Sequence, residues 1–578
     1  FRVVYLITMG LKHLLAKAAR SKPLWAFRED ANLSDLKPTY GLFSLLGVGI
    51  GGTLGSGLFV LSGKIAHEYS GNITFLSWLI SGLVCACTAI SYAELSCILL
   101  SPGSTYAFTY LAFGEFMAVA GAFLLSLEYG LSGAAVARAW GDKLAFWFSY
   151  NEWAGCTGST EILTAGGSPP PCWVNSVGGT SFNPAAVFLS VLLLGCLLKG
   201  VEAGRIVANV LVTINVSVVL FVIILGAVYT DPNNLTPLMP EPTESTKGGF
   251  EGIVMGATTG FFAYIGFDEV TCITAEAIYP KRDIPLAIVI SVLSITAIYC
   301  AASVVLVGMQ PYYLINLSEG FGSAFLYVGA PWAAQFVIAA QIFCILPATT
   351  LASYIPQSRL FYAMSVDGML PKIFRKAQSD GSLFWSTVIF GTVVTVIAAF
   401  MEFSYLNDLI SGGILLSFIF SNSALISIRS KHQGTPYILV ISALVLVAML
   451  VFTKSEGVVG QGIGIGIWGV SIVLCGVMHY KCNFDGLGSG FTVPFVPWTP
   501  FLAISLNAFL ISQLPWTGIL EVLGLCVFAF FVYACYGYRH GKDFAQENVD
   551  IEGLPVEEKG MTKKVSRSAI GPDCGAEE

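Results

Sequence analysis

Apolar runs of about 20 residues recur along almost the whole chain, and that pattern leaves few folds open. A run of this length crosses a bilayer core of about 30 Å as a helix. Lipid offers no partner for an exposed backbone N–H or C=O, and a helix satisfies both within itself. About fourteen such runs are read, near 40–62, 73–93, 106–136, 184–198, 206–229, 251–273, 286–309 and 331–358, then 384–401, 405–428, 436–453, 461–480, 495–514 and 518–538. Of 578 residues, 55% are hydrophobic and only 11% charged, against roughly 25% charged in soluble proteins. The expectation is an all-α integral membrane protein with about fourteen transmembrane helices.

Charge asymmetry orients it. An even number of spans puts both termini on one side, and that side then holds all but five of the 29 lysines and arginines. The five are Lys64, Arg138, Lys143, Lys247 and Lys454. By the positive-inside rule both termini are cytoplasmic. Three Asn-x-Ser/Thr sequons, at Asn72, Asn234 and Asn316, then fall in outer loops. Asn215 matches the same motif from mid-span, where no glycosylation occurs. The short apolar stretch Val3–Met9 neither spans nor precedes a cleavage site, so it is not read as a signal peptide. Phe1 in place of methionine points to a start lying elsewhere. Residues 1–37 read as a basic cytoplasmic tail, with 11–37 along the membrane face, and 541–578 as a polar, disordered tail.

Two of the runs are interrupted by glycine. Gly47-Val-Gly-Ile-Gly-Gly-Thr-Leu-Gly-Ser-Gly57 holds six glycines in eleven residues, and Gly256 to Asp268 breaks a run in the second half. Unwound backbone at bilayer depth is tolerated only where it is buried in protein or lines a cavity. Paired broken segments are therefore the best pointer to a carrier's binding site. A half-helix N-terminus suits an anion and free carbonyls suit an ammonium, so two facing breaks can clasp an α-amino-acid head. Residues Thr53, Gly55, Ser56, Gly57 and Leu58 are expected at the carboxylate, with carbonyls near Ile50 to Thr53 at the amine. Carbonyls of Phe262, Ala263 and Ile265 take the remaining ammonium protons, while Phe262 and Tyr264 cover the substrate stem. The competing reading is close helix packing through small residues.

Ionisable groups inside spans are costly and point to function. Glu128 sits inside the third run, Asp268 and Glu269 beyond the second break, and Glu94 at the end of the second run. Any of the four could meet a cationic side chain or hold a proton, and Glu128 and Asp268 are placed at the substrate site. Asp268 has an alternative role as cap of the distal half-helix. Glu94 and Glu276 read as gating groups at the cytoplasmic face, Glu276 within a charged turn with Lys281, Arg282 and Asp283. Cys156 and Cys172 share the long outer loop and are candidates for a disulfide. No CxxC pair or histidine cluster suggests a metal, and no cofactor is expected. Nor does a nucleophile–base pair suggest an enzyme.

The stretches Gly49-Ile-Gly-Gly-Thr-Leu-Gly-Ser-Gly-Leu-Phe59, Ser91-Tyr-Ala-Glu-Leu95, Val136-Ala-Arg-Ala-Trp140, Phe261-Phe-Ala-Tyr-Ile-Gly-Phe-Asp268, Arg359-Leu-Phe-Tyr-Ala-Met-Ser-Val-Asp-Gly-Met-Leu370 and Val493-Pro-Phe-Val-Pro497 occur in this order. Together they resemble the cationic amino acid transporter family of the amino acid–polyamine–organocation superfamily, over roughly 33–540. The resemblance implies a LeuT-like 5+5 inverted-repeat core with broken helices 1 and 6, here 38–430, and four additional helices at 431–540. It implies arginine, lysine or ornithine as substrate, matches Glu94 to an acid important for transport, and matches Ser56 and Gly57 to the carboxylate-binding break. Asn209 stands where relatives commonly carry a lysine, which favours a carrier driven by membrane potential over lysine-type proton coupling. The expected partners are a small amino acid and the lipid bilayer, with no nucleic acid, and the plasma membrane is the expected site, a lysosomal or vacuolar membrane the alternative. The competing functions are a proton-coupled neutral amino acid symporter and an amino-acid-sensing receptor.

Overall fold

The computed structural model describes residues 17–27, 40–99, 103–153, 156, 172–177, 180–198, 201–239, 241–243, 246–274, 277–376, 383–455, 457–484 and 490–542; for 201–212 and 355 it describes backbone only. Glu276, the first sixteen residues and the tail beyond Lys542 thus lie outside the described residues. Every extended element described is helical. The first half runs α1 (Leu42–Thr53), α2 (Ser56–Lys64), α3 (Thr74–Ile98), α4 (Ser104–Phe113), α5 (Glu115–Ser126), α6 (Ser132–Tyr150), α7 (Pro184–Leu198) and α8 (Val201–Val228). After a short loop come α9 (Gly249–Gly260), α10 (Glu269–Cys272), α11 (Pro280–Met309), the loop helix α12 (Gly320–Tyr327), α13 (Pro331–Ala340), α14 (Leu346–Val366), α15 (Phe384–Phe400) and α16 (Phe403–Arg429). The chain closes with α17 (Thr435–Lys454), α18 (Val458–Lys481), α19 (Trp498–Gln513) and α20 (Trp516–Val532).

Among the described residues, nine helical stretches are long and apolar enough to cross a membrane, and Pro184–Leu198, Thr213–Val228 and Phe384–Phe400 are shorter apolar helices. The difference from about fourteen runs has a physical source. The first two runs are joined by a π turn (Ile65–Ser70) and a 3₁₀ turn (Gly71–Ile73) into a continuous 57-residue path. Others are simply short: the 17 residues of α15 rise only about 25 Å at 1.5 Å each.

Polar side chains fasten these helices, as they must where lipid is as apolar as leucine. Ser77 and Ser81 of α3 donate to the Ile253 and Ala257 carbonyls of α9 at 2.8 and 2.7 Å. Asn422 of α16 accepts from Ser91 at 2.7 Å, and Asn507 of α19 donates to Thr88 at 3.0 Å, so α3 ties both to one point. Burial then separates centre from rim. The path Glu115–Tyr150 and helix α16 bury 89% and 83% of their most apolar stretch, whereas α17 and α18 bury 28% and 17%. The last two carry their apolar side chains outward, as a lipid-facing surface does.

Candidate functional site

Helix α1 stops at Thr53, and Leu54 and Gly55 form the gap before α2. The second interruption is longer. Helix α9 tightens into a 3₁₀ turn at Phe261–Tyr264, goes extended at Ile265, turns at Gly266 with φ +111°, and resumes for one turn only as α10. That φ favours glycine, and a Cβ on Gly266 would stand 2.6 Å from the Gly52 carbonyl carbon. A Cβ on Gly57 would stand 2.5 Å from Ala263 Cα. The two breaks therefore touch, glycine against backbone. Tyr299 of α11 fixes their junction: its hydroxyl lies 2.8 Å from the Thr53 carbonyl and 2.9 Å from that of Ala263.

Between the breaks lies a cavity of about 60 Å³, room for several waters. Its wall comprises Gly51, Gly52, Thr53, Gly55, Ser56 and Gly57 of the first break, Phe262, Ala263, Ile265 and Glu269 of the second, and Glu128, Ser132, Val136, Asn215, Ala348, Thr349, Ala352 and Ser353. Among the described residues, no lysine, arginine or histidine is in that wall. Glu128 sits in a π turn (Leu127–Leu131) between α5 and α6, a device that re-aims one side chain without ending the helix. It is buried, neither carboxylate oxygen meets a donor at hydrogen-bonding geometry, and its polar neighbours include Gly266, Asp268 and Glu269.

The wall's hydroxyl protons are largely committed elsewhere. Thr53 donates to the Gly49 carbonyl at 2.8 Å, Ser132 to that of Glu128, Thr349 to Ile345 at 3.0 Å and Ser353 to Thr350 at 2.8 Å. A hydroxyl has one proton and two lone pairs, so what these groups keep for a ligand is acceptor capacity. Donors come from the backbone N–H groups opening α2, which have no partner within the helix.

Of the residues expected at the site, Thr53, Gly55, Ser56, Gly57, Phe262, Ala263, Ile265 and Glu128 line the cavity, while Leu58, Tyr264 and Asp268 do not. Leu58 is fully buried in the hydrophobic core. Tyr264 packs on Trp78 and Tyr299 and donates to the Trp78 carbonyl at 2.7 Å, so it supports the break from outside the cavity wall. Asp268 makes no side-chain cap for α10. Ser104 and Tyr129 hydroxyls hold its Oδ2 at 3.2 and 2.9 Å, and Glu269 faces the cavity in its place. The polar wall residues missed are Ser132, Asn215, Thr349 and Ser353, and Glu269, weighed among the acids, was not placed at the site. Asn215 donates to the Leu54 carbonyl, whereas the side chain of Asn209 lies outside the described residues.

Outside the cavity wall lie buried ion pairs. On the outer side Lys143 reaches Glu319 at 2.6 Å and the Ser318 and Phe59 carbonyls at 2.8 and 3.1 Å, and Gln341 donates to Glu319 at 2.7 Å. On the inner side Lys22 pairs with Asp367 at 2.8 Å and Arg20 with Glu115 at 2.5 Å. Residues 17–27 are thus seated among helix ends instead of lying along the membrane. Glu94 accepts from Arg429 Nε and Nη2 at 2.6 and 2.8 Å and from the Val493 N–H at 2.6 Å, joining α3, α16 and the segment before α19. Removing one partner of such a buried pair costs about 3–5 kcal/mol. Arg429→Leu, which strands the Glu94 carboxylate, is expected to shorten the survival of monodisperse protein on heating well beyond the double variant Arg429→Leu/Glu94→Leu, which removes both charges; equal losses would argue against the charge pair.

Cys156 and Cys172 form a disulfide, with Cα atoms 5.4 Å apart. Two sequons fit glycosylation poorly. Asn316 is fully buried with Oδ1 accepting from the Ser318 and Glu319 N–H groups, and buried Asn72 donates to the Pro237 carbonyl at 2.9 Å.

A helical membrane protein with two touching breaks around a cavity that carries two acids has the form of a small-molecule permease. Residues 40–478 match the amino acid permease family and 491–541 the family describing the C-terminus of such permeases. The chain belongs to the amino acid permeases, within the cationic amino acid transporter family of the amino acid–polyamine–organocation superfamily. It is 32% identical to the methylthioribose transporter of Bacillus subtilis (strain 168), over 72% of this chain and 86% of that one. It is 30% identical to the cationic amino acid transporter 9, chloroplastic, of Arabidopsis thaliana, over 91% and 94%. With the cationic amino acid transporter 3, mitochondrial, of the same plant it shares 33% over 67% of this chain and 61% of that one.

Proposed function

We propose that this permease carries cationic amino acids, namely arginine, lysine and ornithine, by alternating access. The observation that carries the reading is the cavity wall: Glu128 and Glu269 face it, most of its hydroxyls are left as acceptors, and among the described residues no cationic side chain lines it. A ligand suited to that wall brings several N–H donors and positive charge, and its carboxylate goes to the α2 N-terminus. Ser56 and Gly57 take that carboxylate, and the Ala263 and Ile265 carbonyls face the ammonium from the opposite break. Support for a LeuT-like 5+5 core comes from local irregularities at corresponding places. The first and sixth spans are broken, and the third and eighth carry π turns, Leu127–Leu131 and Gln341–Ile345. Desolvated ion pairs at both ends, Lys143–Glu319 and Lys22–Asp367, are of the kind that a rocking motion must break alternately.

Membrane potential is the proposed driving force. It is worth about 2.3 kcal/mol per charge per 100 mV, which concentrates a monocation roughly fiftyfold. The plasma membrane is the proposed location. A second reading, an uncharged substrate, is favoured by the name of the Bacillus subtilis relative.

Proteoliposome uptake of radiolabelled arginine, lysine, alanine and methylthioribose, at two pH values and two imposed potentials, tests the proposal. Arginine uptake that rises with inside-negative potential is expected. Preferential uptake of alanine or methylthioribose, indifferent to potential, would overturn it; binding of arginine without flux would point to a receptor.

A further inference from the structure

Asn215 lies in α8, away in sequence from both breaks, yet it is buried in the cavity wall. Its Nδ2 donates to the Leu54 carbonyl, in the gap between α1 and α2. Its Oδ1 is buried and accepts no hydrogen bond. An amide has two faces of opposite polarity, and turning this one over would set Oδ1 against the Leu54 carbonyl. The orientation is therefore fixed by the break, and the acceptor is what remains unmet. Buried polar groups are rarely left so without a purpose.

We propose that Asn215 is a specificity-determining residue: its N–H fixes the Leu54 carbonyl, and its Oδ1 accepts a hydrogen bond from the substrate α-ammonium. The inference rests on the reading of the cavity as an amino-acid site. The division of labour follows from charge. Glu128 and Glu269 already place two carboxyl groups in the wall, and a third would add repulsion in the empty state. A neutral amide supplies an acceptor without that cost. It also stands beside Leu54, where the α1 carbonyls end and the substrate amine is expected. Glu128 acts on cationic side chains only, whereas Asn215 acts on the α-ammonium, the part common to every amino acid.

The test is a group-deletion cycle on the purified full chain. Thermal-shift titrations use arginine against its analogue lacking the α-amine, and alanine against propionate, for wild type, Asn215→Leu and Asn215→Ser. Wild type is expected to prefer the amine-bearing ligand by about tenfold or more, the range of one hydrogen bond to a charged group. In Asn215→Leu that preference is expected to fall to within about twofold. If affinity for both members of a pair drops equally and the preference survives, Asn215 only shapes the break and the proposal fails. If wild type prefers alanine to arginine and the variant loses discrimination against propionate, the proposal stands and the cationic reading fails. Wild type indifferent to the α-amine would overturn both. Should Asn215→Leu not fold, Asn215→Ser is read in the same way, since it lacks the Oδ1 reach.

Discussion

Gly57→Ala is expected to abolish uptake while leaving a folded, membrane-inserted protein. The added Cβ would stand 2.5 Å from Ala263 Cα and overlap its Cβ, where contacts below 3.0 Å do not occur between relaxed atoms. Ala263 cannot step aside freely, because the hydroxyl of Tyr299 holds its carbonyl together with that of Thr53. The variant must push the two breaks apart by part of an ångström. Overpacking of this kind costs about 1–3 kcal/mol, within reach of a large bundle. For the site the same shift is severe, since a misplacement near 1 Å can cost about a hundredfold in a reaction that depends on orientation. Gly462→Ala in α18 has open space around it and serves as the control. Uptake by Gly57→Ala within a factor of about three of wild type would mean that the contact between breaks does not set the binding geometry.

Why the breaks were legible and their surroundings were not is a matter of range along the chain. Six glycines in eleven residues are a local signal, and the residues that would line a gap there are its neighbours in sequence. The wall opposite comes from α8 and α14, and nothing near Asn215, Thr349 or Ser353 marks them apart from other polar residues in apolar runs. Asn215 drew attention only as a sequon. The distal half of the second break was expected as a half-helix but is a single turn, Glu269–Cys272, which follows the turn at Gly266. That turn also decides between Asp268 and Glu269. Adjacent helical residues point about 100° apart, so the phase set at Gly266 sends Glu269 to the cavity and Asp268 to Ser104 and Tyr129. Phase of this kind cannot be read from composition. The π turn carrying Glu128 is similar: the acid was visible in the sequence, but its aim depends on one extra residue in the turn.

Glu128→Gln is expected to remove cationic uptake selectively. The substitution keeps size and one acceptor and deletes the charge, in a place where charge is expensive. A carboxylate within a span that meets no cation is a burden on the empty protein, so the ligand-free variant is expected to melt at or above the wild-type temperature. Stability gained at the expense of function is the usual mark of a residue retained for binding. The substrate side supplies the opposite sign of effect. Two unit charges 4 Å apart attract by about 4 kcal/mol at an effective dielectric of 20, which is close to a thousandfold in affinity. Glu269 remains and softens the loss, so arginine uptake per unit concentration should fall at least about tenfold. Arginine, which stabilises whatever state binds it, should no longer raise the melting temperature. Alanine, with no cation to seat, should be transported no worse than by wild type. If Glu128→Gln leaves arginine uptake intact and Glu269→Gln removes it, the cationic subsite belongs to the second break alone. If both leave it intact, the wall's negative charge does not select the substrate, and the cavity's acceptors serve an uncharged ligand.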